Sequence, residues 1–248
     1  MVRAVASRRA SRDDIPVARR SRPKKQRTRR SGSRVLSVGG LLVGGGLAAV
    51  LVLPWVVNRF LWWSPGLDGV AQRPSQDGRL LGHFPYPEAD QSMLVEVTPG
   101  LRLQVDAADA LRSMQRAAAS DGIDLRLLSG YRSKSLQNVI FFDVKSERNQ
   151  TALERAKVSA PPGYSEHSTG LAVDVGDGDA PETNLSQSFE WTPAFRWLQD
   201  HAATYHFTLS FPKENRQGVS YEPWHWRFEG SSEALRLFEP ARRFTQPR

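Results

Sequence analysis

The chain has 248 residues, of which 40% are hydrophobic and 24% are charged, and it contains no cysteine. This length suits one core domain with appendages, and the composition excludes wholesale disorder and a collagen-like structure. The lack of cysteine excludes a disulfide scaffold, a zinc site with Cys ligands and a thiol nucleophile. The formal net charge of +8 would suit a nucleic-acid partner, but the distribution of the charge indicates otherwise.

The positive charge is concentrated at the N-terminus. Residues 1–34 hold 13 Lys and Arg residues against Asp13 and Asp14, a net charge of +11, so the remaining chain carries about −3. Because this basic segment has no hydrophobic periodicity, we predict a disordered tail. The segment that follows explains the basic charge better than nucleic acid does, and we expect no nucleic-acid partner.

Residues 35–57 form a run of 23 residues without a charge. Such a run spans the ~30 Å hydrocarbon core of a bilayer as a helix, and the cations before it place the N-terminus in the cytoplasm. A cleavable signal peptide is the alternative, but the run is long for one and no small-x-small site follows it before Trp62. We predict a single-pass type II protein of the cell (inner) membrane that contacts membrane lipid through residues 35–57. Its C-terminal part would be periplasmic or extracellular.

A linker at residues 58–82 is predicted to precede a folded domain at residues 83–240. Hydrophobic alternation predicts strands at 93–97, 125–128, 171–175, 207–211 and 224–228. Helix signals predict four helices. The first is capped by Asp106 and stopped by Gly122, and the second is capped by Ser133 and runs through Leu136, Val139, Ile140 and Val144. The third starts at Thr192-Pro193, and a last short one follows Ser231 or Ser232. Without a strict βαβ rhythm, this order predicts an α+β fold with a mainly antiparallel sheet and helices packed on it.

Two segments carry candidate chemistry, SEHSTGLAVD at 165–174 and EPWH at 222–225. Together they offer two imidazoles and a carboxylate, a ligand set for a catalytic zinc that leaves one position open for water. A nearby carboxylate that is not a ligand can carry the proton of that water, and Glu222 suits this role. Strict strand alternation would place Glu222 and His225 on opposite faces, so we expect a local departure that brings them together.

Single histidines are weak signals. His83, His201 and His206 are interpreted as structural, because a lone His is more often hydrogen-bonded in a core or exposed than bound to a metal. Asp174 is different, since it lies inside an apolar run. A carboxylate there is costly to bury unless it is paired or binds a metal.

Three motifs in order resemble one known family. SGYRS at 129–133, PGYSEHSTGLAVD at 162–174 and YEPWHWR at 221–227 are similar to the signatures of VanY-type zinc carboxypeptidases. These D-alanyl-D-alanine carboxypeptidase-like enzymes are related to the lysostaphin and sonic-hedgehog zinc folds, and the resemblance covers roughly residues 83–229. It implies one zinc ion in a cleft, bound by His167, Asp174 and His225, with Glu222 as the catalytic base.

The resemblance also implies how substrate is held. Arg132 would be an electrophilic or substrate-binding group, with Ser165 and Gln137 in the substrate subsite. The implied substrate is the peptidoglycan stem peptide, trimmed of a C-terminal D-alanine. Chemistry alone agrees about Arg132, because a fixed guanidinium recognises a carboxylate or stabilises an oxyanion.

The sequence departs from the family pattern in three places. Ser168 stands where Gln is frequent, Ser210 where Arg is common, and QGVS at 217–220 where Thr-Gly-Tyr is usual. None of these changes removes a ligand or the base, but they leave D,D- against L,D-cleavage open.

Two alternatives remain at the level of sequence. A two-His-one-carboxylate iron enzyme has a similar ligand set, but it needs no carboxylate three residues before the last His and usually spaces its first His and Asp by one residue. A non-catalytic peptidoglycan-binding module would be natural if a ligand or Glu222 were replaced. All four residues are present.

Overall fold

The computed structural model describes residue 70 and residues 72–245. The predicted basic tail, the predicted membrane segment at 35–57 and the first part of the predicted linker lie outside the described residues. Within the part of the chain that is described, no helix is both long enough and apolar enough to cross a membrane.

Six strands and five α-helices make up the described part of the chain. The strands are β1 Leu94–Thr98, β2 Leu101–Gln104, β3 Leu125–Ser129, β4 Ala172–Asp177, β5 Phe207–Leu209 and β6 His225–Phe228. The helices are α1 Val105–Ser120, α2 Lys134–Glu147, α3 Ala152–Ala156, α4 Pro193–His201 and α5 Ser232–Thr245. Short 3-10 helices lie at Gln91–Met93, Glu166–Thr169, Pro181–Thr183, Gln187–Trp191 and Ala202–Tyr205.

The strands form two sheets in which every neighbouring pair is antiparallel. β1 and β2 form a hairpin, and the four-stranded sheet has the order β3-β4-β6-β5. The predicted α+β class with an antiparallel sheet is therefore confirmed. Strand β2 was not predicted, because it has only four residues and helix α1 follows it directly.

The central strands β4 and β6 present a different chemistry on each face. Val173 and Val175 of β4, with Trp226 and Phe228 of β6, belong to the hydrophobic core, which also includes buried residues of α1 and α4. Because side chains alternate along a strand, the residues between them face the other way. The polar face of these two strands carries the candidate site.

Helix α1 buries the apolar face that its sequence predicts, but its N-cap differs from the prediction. Its buried residues are Ala107, Ala108, Leu111, Met114 and Ala118. Strand β2 leads directly into the helix, so the N-cap is Gln104, and Asp106 lies in the first turn. The predicted Asp106 cap is therefore wrong.

Helix α2 starts at the predicted N-cap, but the residues it buries are not the apolar residues that indicated it. Ser133 Oγ accepts a hydrogen bond from Leu136 N at 3.1 Å, which is an N-cap. Of the apolar residues that indicated this helix, Leu136 and Val139 are about half exposed, while Gln137 and Phe141 are buried. The buried side of the helix contacts the segment after α3, where Gln137 Nε2 donates to Ala160 O at 2.7 Å.

Candidate active site

A cleft with about 380 Å³ of empty space, partly open to solvent, lies against the polar face of the sheet. It brings together residues from distant parts of the sequence, and six of the seven predicted site residues line it: Arg132, Gln137, Ser165, His167, Glu222 and His225. The seventh, Asp174, is buried and contacts both histidines.

Strand register brings the first pair together. Asp174 of β4 lies directly opposite His225 of β6, a cross-strand arrangement in which side chains meet. Asp174 Oδ1 lies 3.0 Å from His225 Nδ1. The two residues lie 51 positions apart in the sequence, and the pairing of β4 with β6 brings them into contact.

His167 reaches the same point from the 3-10 helix Glu166–Thr169. Gly170 ends this helix with φ +68°, and a Cβ there would lie 2.7 Å from Leu94 Cδ2. The ring is fixed because His167 Nδ1 donates to Gly130 O at 2.7 Å. Nε2 then faces the cluster, 3.2 Å from Asp174 Oδ2.

These three side chains can hold one metal ion. One ligand atom from each of His167, Asp174 and His225 lies within 4.8 Å of the others, and all three residues are buried. His167 Nε2 is buried and has no hydrogen-bond partner among the described residues. A buried nitrogen with a free lone pair beside a carboxylate and a second imidazole fits a metal such as zinc.

The pKa values of the three groups follow from their surroundings. Burial, with Arg132 nearby, lowers the pKa of His167 to about 4, so its imidazole is neutral at pH 7. The two imidazoles hold the pKa of Asp174 well below its usual range despite its burial. Burial opposes protonation of His225, but hydrogen bonds to Asp174 and Glu166 raise its pKa to about 10.

Glu222 lies beside the cluster of His167, Asp174 and His225. The chain departs locally from strand alternation between Glu222 and His225, as expected from the sequence. Glu222 precedes β6, and His225 N donates to Glu222 O at 3.1 Å, which closes a turn between them. Glu222 Oε2 is 3.8 Å from His225 Nδ1. Burial raises the pKa of Glu222 to about 8, assisted by Asp174 and opposed by His225 and Arg132.

Arg132 follows β3 and is attached to the 3-10 helix Glu166–Thr169, since its backbone N donates to His167 O at 3.1 Å. Its Nε is buried and has no hydrogen-bond partner among the described residues. Burial lowers the pKa of the guanidinium, and Asp174 and Glu222 act in the opposite direction. The cleft therefore holds a cation with unused hydrogen-bonding capacity.

The two predicted subsite residues, Gln137 and Ser165, line the same cleft as Arg132. Gln137 donates through Nε2, while its Oε1 is buried without a partner among the described residues. Ser165 is buried and lines the cleft, and it immediately precedes the 3-10 helix Glu166–Thr169 in the sequence.

Sequence reasoning missed six residues that line the cleft: His83, Val158, Ser159, Ala160, Glu166 and Phe211. His83 was interpreted as structural, and its Nε2 does hydrogen-bond to Ala156 O at 2.7 Å, but its ring also borders the cleft. Glu166 stands inside the quoted motif, yet no role was assigned to it. Two features of the sequence could have pointed to Glu166. It stands next to His167, and polar His225 and Arg227 alternate with apolar residues, which predicts a polar face on that strand.

The fold and the site define a class of α+β domains in which a carboxylate lies beside a His-Asp-His cluster that could hold a metal ion. Residues 100–231 match the family model "VanY: D-alanyl-D-alanine carboxypeptidase". The chain belongs to this family, as the three motifs predicted.

Three relatives show the extent of the likeness. "Putative carboxypeptidase YodJ" of Bacillus subtilis is 38% identical over 135 residues, which is 53% of this chain and 48% of the relative. The LdcB LD-carboxypeptidase structure, concerned with peptidoglycan recognition, has a TM-score of 0.52 and 29% identity, and the match covers 71% of this chain and 81% of that one. VanYB in complex with D-alanine-D-alanine has a TM-score of 0.50 and 28% identity, with 63% and 87% covered. The chain spans about half the length of the curated relatives it matches.

Proposed function

We propose that this protein is a zinc carboxypeptidase that removes a C-terminal D-alanine from peptidoglycan stem peptides. The observation that carries the proposal is the convergence of His167, Asp174 and His225 in one cleft with the carboxylate of Glu222. The substrate class is supported by two similar structures. VanYB was solved in complex with D-alanine-D-alanine, and the LdcB LD-carboxypeptidase structure reveals the basis of peptidoglycan recognition.

Zinc would be held by His167 Nε2, the Asp174 carboxylate and His225 Nδ1. When bound, the ion supplies Lewis acidity to the cleft and lowers the pKa of water there towards ~7. The neutral state of His167 and the ionised state of Asp174 match what such ligands require, whereas His225, whose pKa is raised to about 10, would release a proton as the metal binds.

Glu222 is proposed as the proton carrier. It accepts a proton from the attacking water as the water oxygen bonds to the scissile carbonyl carbon, and it returns that proton to the amine when the C–N bond breaks. Burial raises the pKa of Glu222 to about 8, so the carboxyl group can both hold and release a proton near neutrality.

Arg132 is proposed to bind the negative charge of the substrate. Either the terminal carboxylate or the oxyanion that develops on the scissile carbonyl can occupy the unused donors of its guanidinium. The unpartnered Gln137 Oε1 and the Ser165 hydroxyl would bind polar groups of the peptide.

The domain is proposed to act outside the cytoplasm. A type II anchor at residues 35–57, with the domain at 83–240 in the periplasm or cell exterior, would place the cleft where peptidoglycan lies. This part of the proposal is based on the apolar run and on the cations that precede it.

The test is incubation of the zinc-loaded protein with two defined muropeptides. One ends in D-Ala-D-Ala, and the other ends in a single D-Ala after an L-configured centre. Mass spectrometry should detect D-alanine released from at least one of them, and the choice between them gives the D,D- or L,D-specificity. His167→Ala is the matched control and should release none. If the wild-type protein binds zinc and releases no D-alanine from either peptide, the proposal is wrong.

A further inference from the structure

Glu166, the residue before the ligand His167, has a carboxylate that is surrounded by donors. Its side chain is 2% exposed. Oε2 accepts hydrogen bonds from Ser210 Oγ at 2.6 Å and from His225 Nε2 at 3.0 Å. Oε1 accepts from Arg227 Nη1 at 3.1 Å and from Tyr86 Oη at 3.3 Å. Four donors from three separate segments therefore meet one carboxylate, since His225 and Arg227 both belong to β6.

The buried charge of Glu166 is compensated by a buried cation. The Arg227 side chain is fully buried, and its Nε also pairs with Glu229 Oε1 at 2.8 Å. A buried carboxylate stays ionised only when it is paired and hydrogen-bonded.

The hydrogen bond from His225 has a consequence at the other end of the ring. Nε2 donates its proton to Glu166, while Nδ1 lies 3.0 Å from Asp174 Oδ1 and belongs to the metal-binding cluster. A carboxylate on the far nitrogen of a ligand histidine keeps the proton there and fixes the ring orientation. Nδ1, once it has lost its own proton, is then the nitrogen available to a metal.

We propose that Glu166 is a positioning residue that holds His225 with Nδ1 directed at the metal site. One 3-10 helix then supplies a ligand, His167, and the group that orients a ligand on another element. The inference rests on the proposed function in one respect, that the cluster binds zinc.

The first test is the zinc affinity of the Glu166→Gln protein, measured on the full-length chain by competition with a chromophoric chelator. The neutral amide is a weaker acceptor for His225 and loses the attraction to Arg227. Loss of such an orienting partner typically weakens metal binding by about 10–100-fold, and we expect a loss in this range. An affinity within about threefold of wild type would overturn the proposal.

Glu229→Gln is the matched control. It removes the other carboxylate from the same buried Arg227, and no hydrogen bond or ion pair links Glu229 to His225 within the described residues. It should lower the thermal unfolding midpoint and leave the zinc affinity near the wild-type value. If both variants weaken zinc binding equally, Glu166 acts only through the stability of Arg227, and the inference fails.

A second variant keeps the test open if Glu166→Gln does not fold. Glu166→Asp preserves the charge that Arg227 needs but shortens the side chain by one methylene, so the hydrogen bond to His225 is lengthened. It should unfold close to the wild-type temperature and still bind zinc more weakly. Wild-type affinity in a folded Glu166→Asp protein would contradict the proposal.

A spectroscopic readout separates positioning from general stability. In the zinc-loaded wild type, the His225 Nε2 proton should give a downfield, slowly exchanging NMR signal, assigned by its absence in His225→Ala. In Glu166→Gln the signal should move upfield or exchange faster, and in Glu229→Gln it should stay. An unchanged signal in Glu166→Gln would mean that Glu166 does not hold the ring.

His167→Ala distinguishes failure of this inference from failure of the proposed function. If His167→Ala still binds zinc as the wild type does, the metal site itself has been misassigned. If His167→Ala loses zinc while Glu166→Gln keeps full affinity and the His225 signal, only the role of Glu166 is refuted.

Discussion

Asp174 and Glu222 are both buried carboxylates beside His225, yet their surroundings shift their pKa values in opposite directions. Asp174 touches His225 at 3.0 Å and His167 at 3.2 Å, and its pKa is held low. Glu222 is 3.8 Å from His225, and burial raises its pKa to about 8. Carboxyl groups whose pKa values are driven apart suit different tasks. The low-pKa group suits a ligand and the high-pKa group a proton carrier.

The Glu222→Gln variant tests this division of tasks. Gln keeps the shape of the buried side chain but cannot accept a proton at neutral pH. We expect stoichiometric zinc and a near-native unfolding temperature, with turnover reduced by about 10²–10⁴-fold, as is typical for loss of a general base. Metal analysis, calorimetry and the D-alanine assay measure these three quantities. Wild-type turnover would refute the role, and loss of zinc would make Glu222 a ligand.

The Arg132→Lys variant tests whether geometry matters as well as charge. Lys preserves the positive charge and loses the planar fork of the guanidinium. We expect kcat/KM to fall, but by less than the ~10²–10³-fold typical when an oxyanion donor is removed completely. Arg126→Lys, at an exposed ion pair with Asp124, is the control and should leave kcat/KM unchanged. Equal values for wild type and Arg132→Lys would show that the fork is not used.

The 3-10 helix Glu166–Thr169 depends on the glycine that ends it. Gly170 has φ +68°, and a Cβ there would crowd Leu94 Cδ2 at 2.7 Å and Gln104 N at 3.3 Å. We expect Gly170→Ala to lower the free energy of unfolding by roughly 2–5 kcal/mol, from left-handed strain and overpacking together. Chemical denaturation measures it.

Gly122→Ala is the control for Gly170→Ala. Gly122 has φ +78° with nothing within 4 Å of the added Cβ, so only the strain of roughly 1–2 kcal/mol applies. Equal losses of stability in the two variants would show that the close approach of Leu94 and Gln104 has no energetic effect.

Sequence patterns predicted the elements whose packing is apolar and local. The buried face of α1 follows directly from the spacing of its alanines, Leu111 and Met114. The buried face of α2 does not, because it is completed by the amide of Gln137 bonded to the carbonyl of Ala160. Periodicity describes hydrophobic surface and contains no information about which distant carbonyl an amide will meet.

The candidate site shows the same division. The motifs contain six of the seven predicted site residues, all except Gln137, because each motif is a short run of sequence. They did not identify the role of Glu166, since the four donors to its carboxylate come from Tyr86, Ser210, His225 and Arg227. That cluster exists only once β6 and the segment after β5 have packed together.

At the scale of the whole molecule, the predicted anchor determines on which side of the membrane the cleft lies. The 13 cations before residues 35–57 predict a cytoplasmic N-terminus. A reporter that is active only outside the cytoplasm, fused after Arg248, should therefore be active. The same fusion without residues 1–57 is the control and should be silent. Activity of a cytoplasm-only reporter at this position would contradict the predicted orientation.

The pairing of Asp174 with His225 across β4 and β6 has a consequence for how the chain can change over time. The gap between these two side chains is determined by the ~4.7–4.9 Å spacing of neighbouring strands and not by the residues that join them. Insertions between β4 and β6 can therefore remodel the rim of the cleft without moving either residue. A shift of β6 by one residue would instead turn His225 towards the core and Trp226 towards the cleft. Natural variation in length should accumulate in the connecting loops and be absent from the two strands.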